Sequence, residues 1–179
     1  MLYKKTNPVG IDVEIQKAQT LLHDKLCSSW GADISAYGRV YLLKRKETIV
    51  PEVFVGGVDY KDVLSLDDNR FFFIQSNTST RISNTRYECD VDIYFILNLK
   101  DVKSSINHRA DEEVHRDVEY LLNQTYFETK SLEIGIDNVI SDFKLEDRDN
   151  FNISDFEPYH IFKYVCSVKY DISKTGCNG

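Results

Sequence analysis

The sequence predicts a single α+β domain, residues 1–179, in which a mostly antiparallel sheet carries two amphipathic helices on one face. Three observations point to this class. Apolar residues alternate along residues 87–99, which indicates a strand, whereas two other segments repeat apolar residues at helical spacing. The strand-like runs do not alternate regularly with the helices, and that order is typical of antiparallel sheets. A chain of 179 residues also fits one domain with a substantial core.

The first helix is predicted over residues 12–26. Its apolar residues recur three and four positions apart and form one stripe; they are Ile11, Ile15, Ala18, Leu22 and Leu26. Asp12 is the candidate N-cap of this helix. Gly31 follows directly on Trp30, and glycine is the usual residue just beyond the end of a helix.

The first hairpin is predicted from residues 39–44 and 48–55. Both segments have strand-like composition, and Pro51 indicates an edge position or a bulge. The turn between them includes the basic cluster Lys-Arg-Lys at residues 44–46. Charges at a hairpin tip normally stay in water, so we interpret this cluster as a solvated turn, with phosphate contact as the alternative.

A second hairpin is predicted from residues 58–66 and 70–75. The residues between these segments are Asp67, Asp68 and Asn69. Such residues favour turns because their side chains form hydrogen bonds with the nearby backbone. We therefore expect the two segments to pair with each other.

The strand over residues 87–99 gives the strongest signal. One face is apolar without a break and consists of Tyr87, Cys89, Val91, Ile93, Phe95 and Leu97. The opposite face begins with acidic residues, among them Asp90 and Asp92, and becomes apolar at Tyr94 and Ile96. The strand should therefore be half exposed at its start and covered on both faces at its end. We expect the second helix or a neighbouring subunit to cover Tyr94 and Ile96.

The second helix is predicted over residues 110–124. Its apolar stripe consists of Ala110, Val114, Val118, Leu121 and Leu122. The acidic residues Asp111, Glu112 and Glu113 fall in its first turn, where the helix dipole favours negative charge. We place His115 on the exposed side of this helix. Two further strands are predicted at residues 132–136 and 159–172.

Three segments are too polar for a core. Residues 76–86 are predicted to be a loop or a mobile arm, and residues 144–158 a second polar loop. The chain ends in a short polar tail that contains Cys177. Loops of this kind lie at the surface, where their backbone groups bind water or a partner.

The charge and the apolar runs exclude several classes of protein. A net charge of −7 opposes general nucleic-acid binding, which depends on neutralising phosphates with clustered lysine and arginine. The longest apolar runs, such as residues 93–97, are too short to span a bilayer, so we expect no membrane contact. No apolar segment follows residues 1–9 as it would in a secretory signal, so we expect the protein to be made and folded in the cytosol.

Asp90 and Asp92 are the one place where the sequence suggests chemistry. Residues two apart on a strand point to the same side, and two carboxylates on one side can hold Mg²⁺. Nucleotidyltransferases combine such a pair with an upstream Gly-Ser motif, but residues 76–80 contain no glycine. Alternation alone places carboxylates on the wet face of a sheet, and we favour that interpretation.

Other catalytic and metal-binding patterns are missing from the sequence. The cysteines form no CxxC pair, and Cys89 and Cys166 fit strand faces as core residues. The four histidines occur in no metal-binding arrangement; they are His23, His108, His115 and His160. No phosphate-binding loop, nucleophile elbow or Rossmann glycine pattern is present. We therefore predict no catalytic residues and no cofactor, and expect a protein that is not an enzyme.

In the order of its elements and in several of its segments, the chain resembles the tail-terminator or tail-completion proteins of tailed phages. The strand "RYECDVDIYFILNLKD" precedes the helix "ADEEVHRDVEYLLNQ", and the chain closes with the strand "IFKYVCSVKYDI". Arg86, residues 90–93, residues 110–122 and residues 164–170 match the outline of that family, over about the last hundred residues. The polar loop at residues 144–158 is longer than the family pattern, which leaves room for a neighbouring stopper or head-completion protein.

This resemblance implies a structural virion component that forms a homo-oligomeric ring at the head-tail junction or tail end. Its partners would be itself, neighbouring neck, portal-side or tail proteins, and DNA that passes through the channel without specific binding. Tyrosine-rich strands and the polar loops would supply the contacts; the candidate residues are Arg81, Arg86, Tyr94, Ile96, Asp147, Asp149, Phe151 and Phe156. The alternatives are a small metal-dependent enzyme that acts on a nucleotide through Asp90 and Asp92, or a monomeric protein-binding adaptor.

Overall fold

The computed structural model describes residues 1–45, 48–56, 59–64, 68–106, 109–139, 143 and 159–173. In chain order the elements are α1 (Ile11–Trp30), β1 (Ser35–Arg39), β2 (Tyr41–Arg45), β3 (Thr48–Gly56), β4 (Asp59–Asp62), β5 (Arg70–Arg81), β6 (Arg86–Asn98), α2 (Leu99–Val102), α3 (Asp111–Leu122), β7 (Phe127–Ile134), α4 (Ile136–Val139) and β8 (Tyr159–Asp171). These elements confirm the α+β class. Among the described residues, no helix has the length and apolar character that crossing a membrane requires.

The strands form two sheets. The main sheet has the order β1, β5, β6, β8, β7, and the second sheet has the order β2, β3, β4. Neighbouring strands are antiparallel except β1 and β5, which are parallel. The central pair, β6 and β8, stays in register along its whole length. At the β1 edge the N-terminal segment adds a bridge between Leu2 and Ala36, and the amino group of Met1 donates to the Ile34 carbonyl at 2.7 Å.

Helices α1 and α3 cover one face of the main sheet, as the amphipathic patterns predict. The alternating apolar residues of β6 point to this side and are buried with the helix stripes. Aromatic rings fill the centre, where Phe95 stacks on Phe162 with ring centroids 4.8 Å apart and on Phe71 at 5.4 Å. Each of these three rings is fully buried, so this cluster supplies much of the apolar area that stabilises the fold.

The opposite face of the main sheet is covered by the second sheet and by the region around α4. Tyr94 and Ile96 are only 3% and 2% exposed and pack there with Val53, Val139 and Phe143. The prediction that the second helix or a neighbouring subunit covers them is therefore wrong. Helix α3 lies on the other face because its apolar stripe packs on the odd-numbered residues of β6.

The first predicted hairpin is confirmed, but the second is wrong. Strands β2 and β3 pair as an antiparallel hairpin, with Arg39 belonging to β1 instead. Strand β4 pairs with β3 in the second sheet, whereas β5 lies between β1 and β6 in the main sheet. The physical reason is the apolar run at the start of β5. Phe71, Phe72 and Phe73 are all fully buried, so both faces of this strand need a cover.

Residues 76–86 do not form a loop. Strand β5 continues to Arg81 and β6 begins at Arg86, so these residues form a two-stranded ribbon with its tip at residues 82–85. The register shifts between Gln75 and Ser79, which marks a bulge where the ribbon leaves the covered part of the sheet. A polar sequence suits this ribbon because its side chains are largely exposed while backbone pairing still holds the strands.

Helix α1 differs from the prediction at its N-terminus and extends four residues beyond Leu26, to Trp30. Gly10, with φ 58°, precedes the helix and Asp12 lies within it, so Asp12 is not the N-cap. Gly31, with φ 65°, ends the helix in the left-handed conformation, as predicted. The polar loop at residues 144–158 and Cys177 lie outside the described residues. Cys89 and Cys166 are buried, as expected of core cysteines.

Candidate functional site

Asp90 and Asp92 lie on the same side of β6, as their spacing predicts. The Lys130 ammonium on β7 donates to Asp90 Oδ1 at 2.6 Å. The Lys163 ammonium on β8 lies 3.7 Å from Asp92 Oδ2. The two carboxylates therefore connect the central strand to its neighbours through ion pairs across the sheet.

Lys163 is the buried member of this set. Its side chain is 7% exposed and lies 3.3 Å from Glu133 Oε2 as well as close to Asp92. Its ammonium also lies 5.5 Å from the centre of the Tyr94 ring, which adds a cation–π contact. A buried ammonium needs such partners because leaving water is costly for an isolated charge.

This arrangement is poorly suited to a divalent cation. Each aspartate already faces a lysine ammonium, which a metal would have to displace while lying beside like charge. Within the described ranges, no three His, Cys, Asp or Glu side chains come together in a group that could hold a metal ion. The geometry thus gives Asp90 and Asp92 a role in joining strands.

The predicted contact residues fall into three sets. Arg81 and Arg86 are exposed near the tip of the ribbon, where the Arg81 guanidinium donates to the carbonyls of Ser83 and Asn84. Tyr94 and Ile96 are buried within the chain and contact its own second sheet. The remaining candidates lie outside the described residues; they are Asp147, Asp149, Phe151 and Phe156.

A cleft of about 480 Å³ lies at the β1 edge of the molecule. Residues 3–6 form one wall, the first turns of α1 form another, and the second sheet closes it with Tyr41, Val53 and Phe54. Tyr41 and Phe54 are 37% and 50% exposed, so apolar surface borders the opening. This volume falls within the range of ligand-binding and contact clefts in proteins.

A buried carboxylate organises the charges of this cleft. Asp12 accepts from the Lys5 ammonium at 2.5 Å, and the Arg39 guanidinium lies 2.8 and 3.0 Å from its two oxygens. Arg39 also donates to Gln75 Oε1 at 2.7 Å, which fixes its position over β5. With Lys4 also in the lining, three cations face one carboxylate. The cleft therefore carries a local charge of +2 in a chain of −7.

Two buried histidines meet where α3 packs on β8. His115 and His160 have their Nε2 atoms 2.8 Å apart, and Arg109 Nη2 lies 3.3 Å from His160 Nδ1. A guanidinium can only donate, so His160 accepts at Nδ1 and donates from Nε2 to His115. The prediction that His115 is exposed is wrong, since it is 5% exposed and shares the buried face of α3 with Val118 and Leu122.

Both histidines are held neutral by this environment. Burial lowers the pKa of His160 to about 4, and the positive charge of Arg109, with that of His115 when it is protonated, acts in the same direction. Burial also lowers the pKa of His115, against the nearby carboxylates of Glu112, Asp111 and Glu119. The hydrogen bond between the two rings requires one neutral acceptor, so protonation of the pair would break it.

Sequence reasoning missed the cleft and the histidine pair for different reasons. The cleft combines Lys5, Asp12, Arg39 and Tyr41, which come from separate elements and follow no common spacing. The burial of His115 could have been predicted, because residue 115 lies on the same helical face as residues 118 and 122.

Comparison of the chain with protein-family models, with curated proteins and with solved structures finds no match.

Proposed function

We propose that the chain is a structural subunit that assembles with copies of itself into a ring at the head-tail junction or the tail end of a phage. In this role it joins portal-side and tail-side proteins around the DNA channel and is part of the virion. The proposal draws on the segments that resemble tail-terminator proteins and on the surface of the fold. One observation carries it: the two edges of the main sheet differ in chemistry.

The β7 edge and its neighbour α3 form the acidic side. Helix α3 contains five acidic residues and one arginine, a net charge of −4 with His115 neutral. A short turn joins α3 to β7, so both lie at the same side of the molecule. The β1 edge, about 19 Å away at four strand spacings, carries the cleft of charge +2. Two unlike surfaces on opposite sides are what a closed ring of identical subunits needs.

The contact between subunits would be made by side chains and not by an edge strand of one copy pairing with an edge strand of the next. In the described part of the chain β7 pairs only with β8, but its register shifts between Thr129 and Ser131. A bulge and charged residues such as Lys130 are features that protect a sheet edge from pairing with another strand. Ring assembly is therefore expected to depend on the groups that project from each edge.

The acidic balance also suits a channel for DNA. A ring subunit of net charge −7 repels phosphate, so DNA slides past instead of binding. The alternative of a metal-dependent enzyme gains no support from Asp90 and Asp92, because both lie beside lysines. A monomeric protein-binding adaptor is the alternative, and its mass in solution would distinguish it from a ring.

The test is the mass and shape of the purified full chain. Light scattering after size-exclusion chromatography, at rising concentration, should show a defined complex of several copies. Negative-stain images of that complex should show rings with a central hole. A chain that stays monomeric at all concentrations, and also when purified neck or tail proteins are added, would exclude the ring and favour the adaptor.

A further inference from the structure

We infer that the basic cleft at the β1 edge receives the exposed acidic face of α3 from a second copy of this chain. The inference rests on the proposed function, in which copies assemble with one another, and it names the two surfaces that meet. The receiving surface consists of Lys4, Lys5 and the apolar border at Tyr41 and Phe54. The inserted surface consists of Glu112, Glu119 and Tyr120.

The cleft offers positive charge that its own chain leaves only partly neutralised. Asp12 is shared between Lys5 and Arg39, so the three together keep one positive charge. Lys4 is exposed and forms no ion pair within the described residues. The side chain of Lys5 is 49% exposed, so its ammonium can face a second carboxylate while it stays near Asp12. The cleft can therefore bind a carboxylate from a second copy of the chain.

The exposed face of α3 offers the complementary groups. Glu112 and Glu119 are exposed and form no ion pair in the part of the chain that the structure describes. By contrast, three acidic residues of the main sheet, Asp90, Asp92 and Glu133, already face lysines. Glu112 and Glu119 therefore offer negative charge that a second copy can share.

Tyr120 adds an apolar group to this acidic face. It lies next to Glu119 and is 69% exposed, an unusual state for a large aromatic side chain. Tyrosine is enriched in protein interfaces because its ring packs on apolar surface while its hydroxyl binds water or a polar partner. The borders of the cleft, Tyr41 and Phe54, are exposed aromatic groups of matching chemistry, and the 480 Å³ interior has room for one ring.

Glu112, Glu119 and Tyr120 do not line the cleft of their own chain. The cleft touches α1 as far as Gln19, whereas α3 is held at the far end of α1, where Trp30 Nε1 donates to Asp117 at 2.9 Å. The helix segment between Gln19 and Trp30 is about 16 Å long. The contact is therefore between copies and joins unlike surfaces, which generates rings or open chains and not twofold dimers.

The test uses charge reversal on the full chain. Lys4→Glu and Glu119→Lys each place like charges at the contact, so each should weaken association by about tenfold or more. The double variant, or an equal mixture of the two single variants, restores opposite charges and should associate to within about threefold of the unmodified chain. Lys169→Glu is the matched control: this exposed lysine lies on the sheet face opposite α3, and its reversal should change association by less than about threefold.

Sedimentation velocity at low and high salt measures the association, and circular dichroism confirms that each variant folds. Added salt should weaken the unmodified complex, because ion pairs at its rim are screened. If the unmodified chain associates but the two single variants associate equally well, the contact named here is wrong while the proposed ring stands. If the unmodified chain does not associate at all, the proposed function fails and this contact fails with it.

Discussion

Replacing His160 with glutamine removes one member of the buried histidine pair, and its main consequence should be a changed dependence of stability on pH. In the folded chain the pKa of His160 is lowered to about 4 from its ordinary value of 6.5. The unfolded chain therefore takes up a proton below about pH 6.5 that the folded chain does not accept until about pH 4. Stability is present in full above this window and falls as the pH drops through it.

The size of the effect follows from these two pKa values. At about pH 5 the unfolded state gains about 2 kcal/mol from protonation of this one group, whereas above about pH 7.5 it gains almost nothing. Because the pKa of His115 is lowered as well, the two histidines together should lower the free energy of unfolding at about pH 5 by at least this much. Asp111 and Asp117 have lowered pKa values too, but they titrate at lower pH and are present in both proteins.

Urea unfolding, followed by the fluorescence of the single Trp30, measures the free energy of unfolding. The unmodified chain should lose about 2 kcal/mol or more between about pH 7.5 and pH 5, and His160→Gln should lose clearly less. His23→Gln, which changes a histidine on α1 outside the pair, should keep the full decrease. Equal decreases in the unmodified chain and in His160→Gln would show that the buried histidine pair does not set this pH dependence.

A second measurement covers the case in which the variant does not fold. The imidazole of His160 in the unmodified chain should stay neutral down to about pH 5 when its ring signals are followed by nuclear magnetic resonance. A ring that becomes charged near pH 6.5 in the folded chain would contradict the buried, hydrogen-bonded pair.

Three further predictions concern stability. Phe95→Ala should lower the free energy of unfolding by about 3–5 kcal/mol in urea, because it leaves a cavity between Phe71 and Phe162; a loss below about 1 kcal/mol would contradict the packing. Gly31→Ala should cost about 1 kcal/mol through its positive φ alone, since nothing lies within 4 Å of the new methyl group; an unchanged unfolding midpoint would count against that conformation. Asp90→Asn should leave the free energy of unfolding nearly unchanged, because the pair with Lys130 is exposed to solvent, and Mg²⁺ should not shift the melting temperature of either protein; a Mg²⁺ shift in the unmodified chain only would indicate a metal site at Asp90.

Secondary-structure elements and their buried faces could be predicted only where a periodic pattern covered a whole element. The alternation from Tyr87 to Leu97 and the stripe from Ile11 to Leu26 each identify an element and its buried face, and both are confirmed. Strand pairing is less accessible, because any two strand-like segments can pair locally. The short turn at Asp68 therefore suggested a hairpin, whereas the buried Phe72 requires β5 to lie inside the main sheet.

The ribbon shows the limit of composition as a guide. Residues 76–86 have almost no apolar side chains, which normally indicates a loop, yet most of them are held by backbone pairing between β5 and β6. A strand that is wet on both faces leaves no periodic signal, since neither side selects apolar residues. The cleft was equally hidden, because Asp12 and Arg39 become neighbours only after α1 packs beside β1.

Zero-length crosslinking tests the head-to-tail contact between copies most directly. Carbodiimide joins a lysine to a carboxylate only where the two are in contact, and an equal mixture of unlabelled and heavy-isotope-labelled chain distinguishes links between copies from links within one. In the assembled protein we expect mixed-isotope links from Lys4 or Lys5 to Glu112 or Glu119. Assembled protein whose mixed-isotope links join other residues, with none between these two surfaces, would contradict the head-to-tail contact.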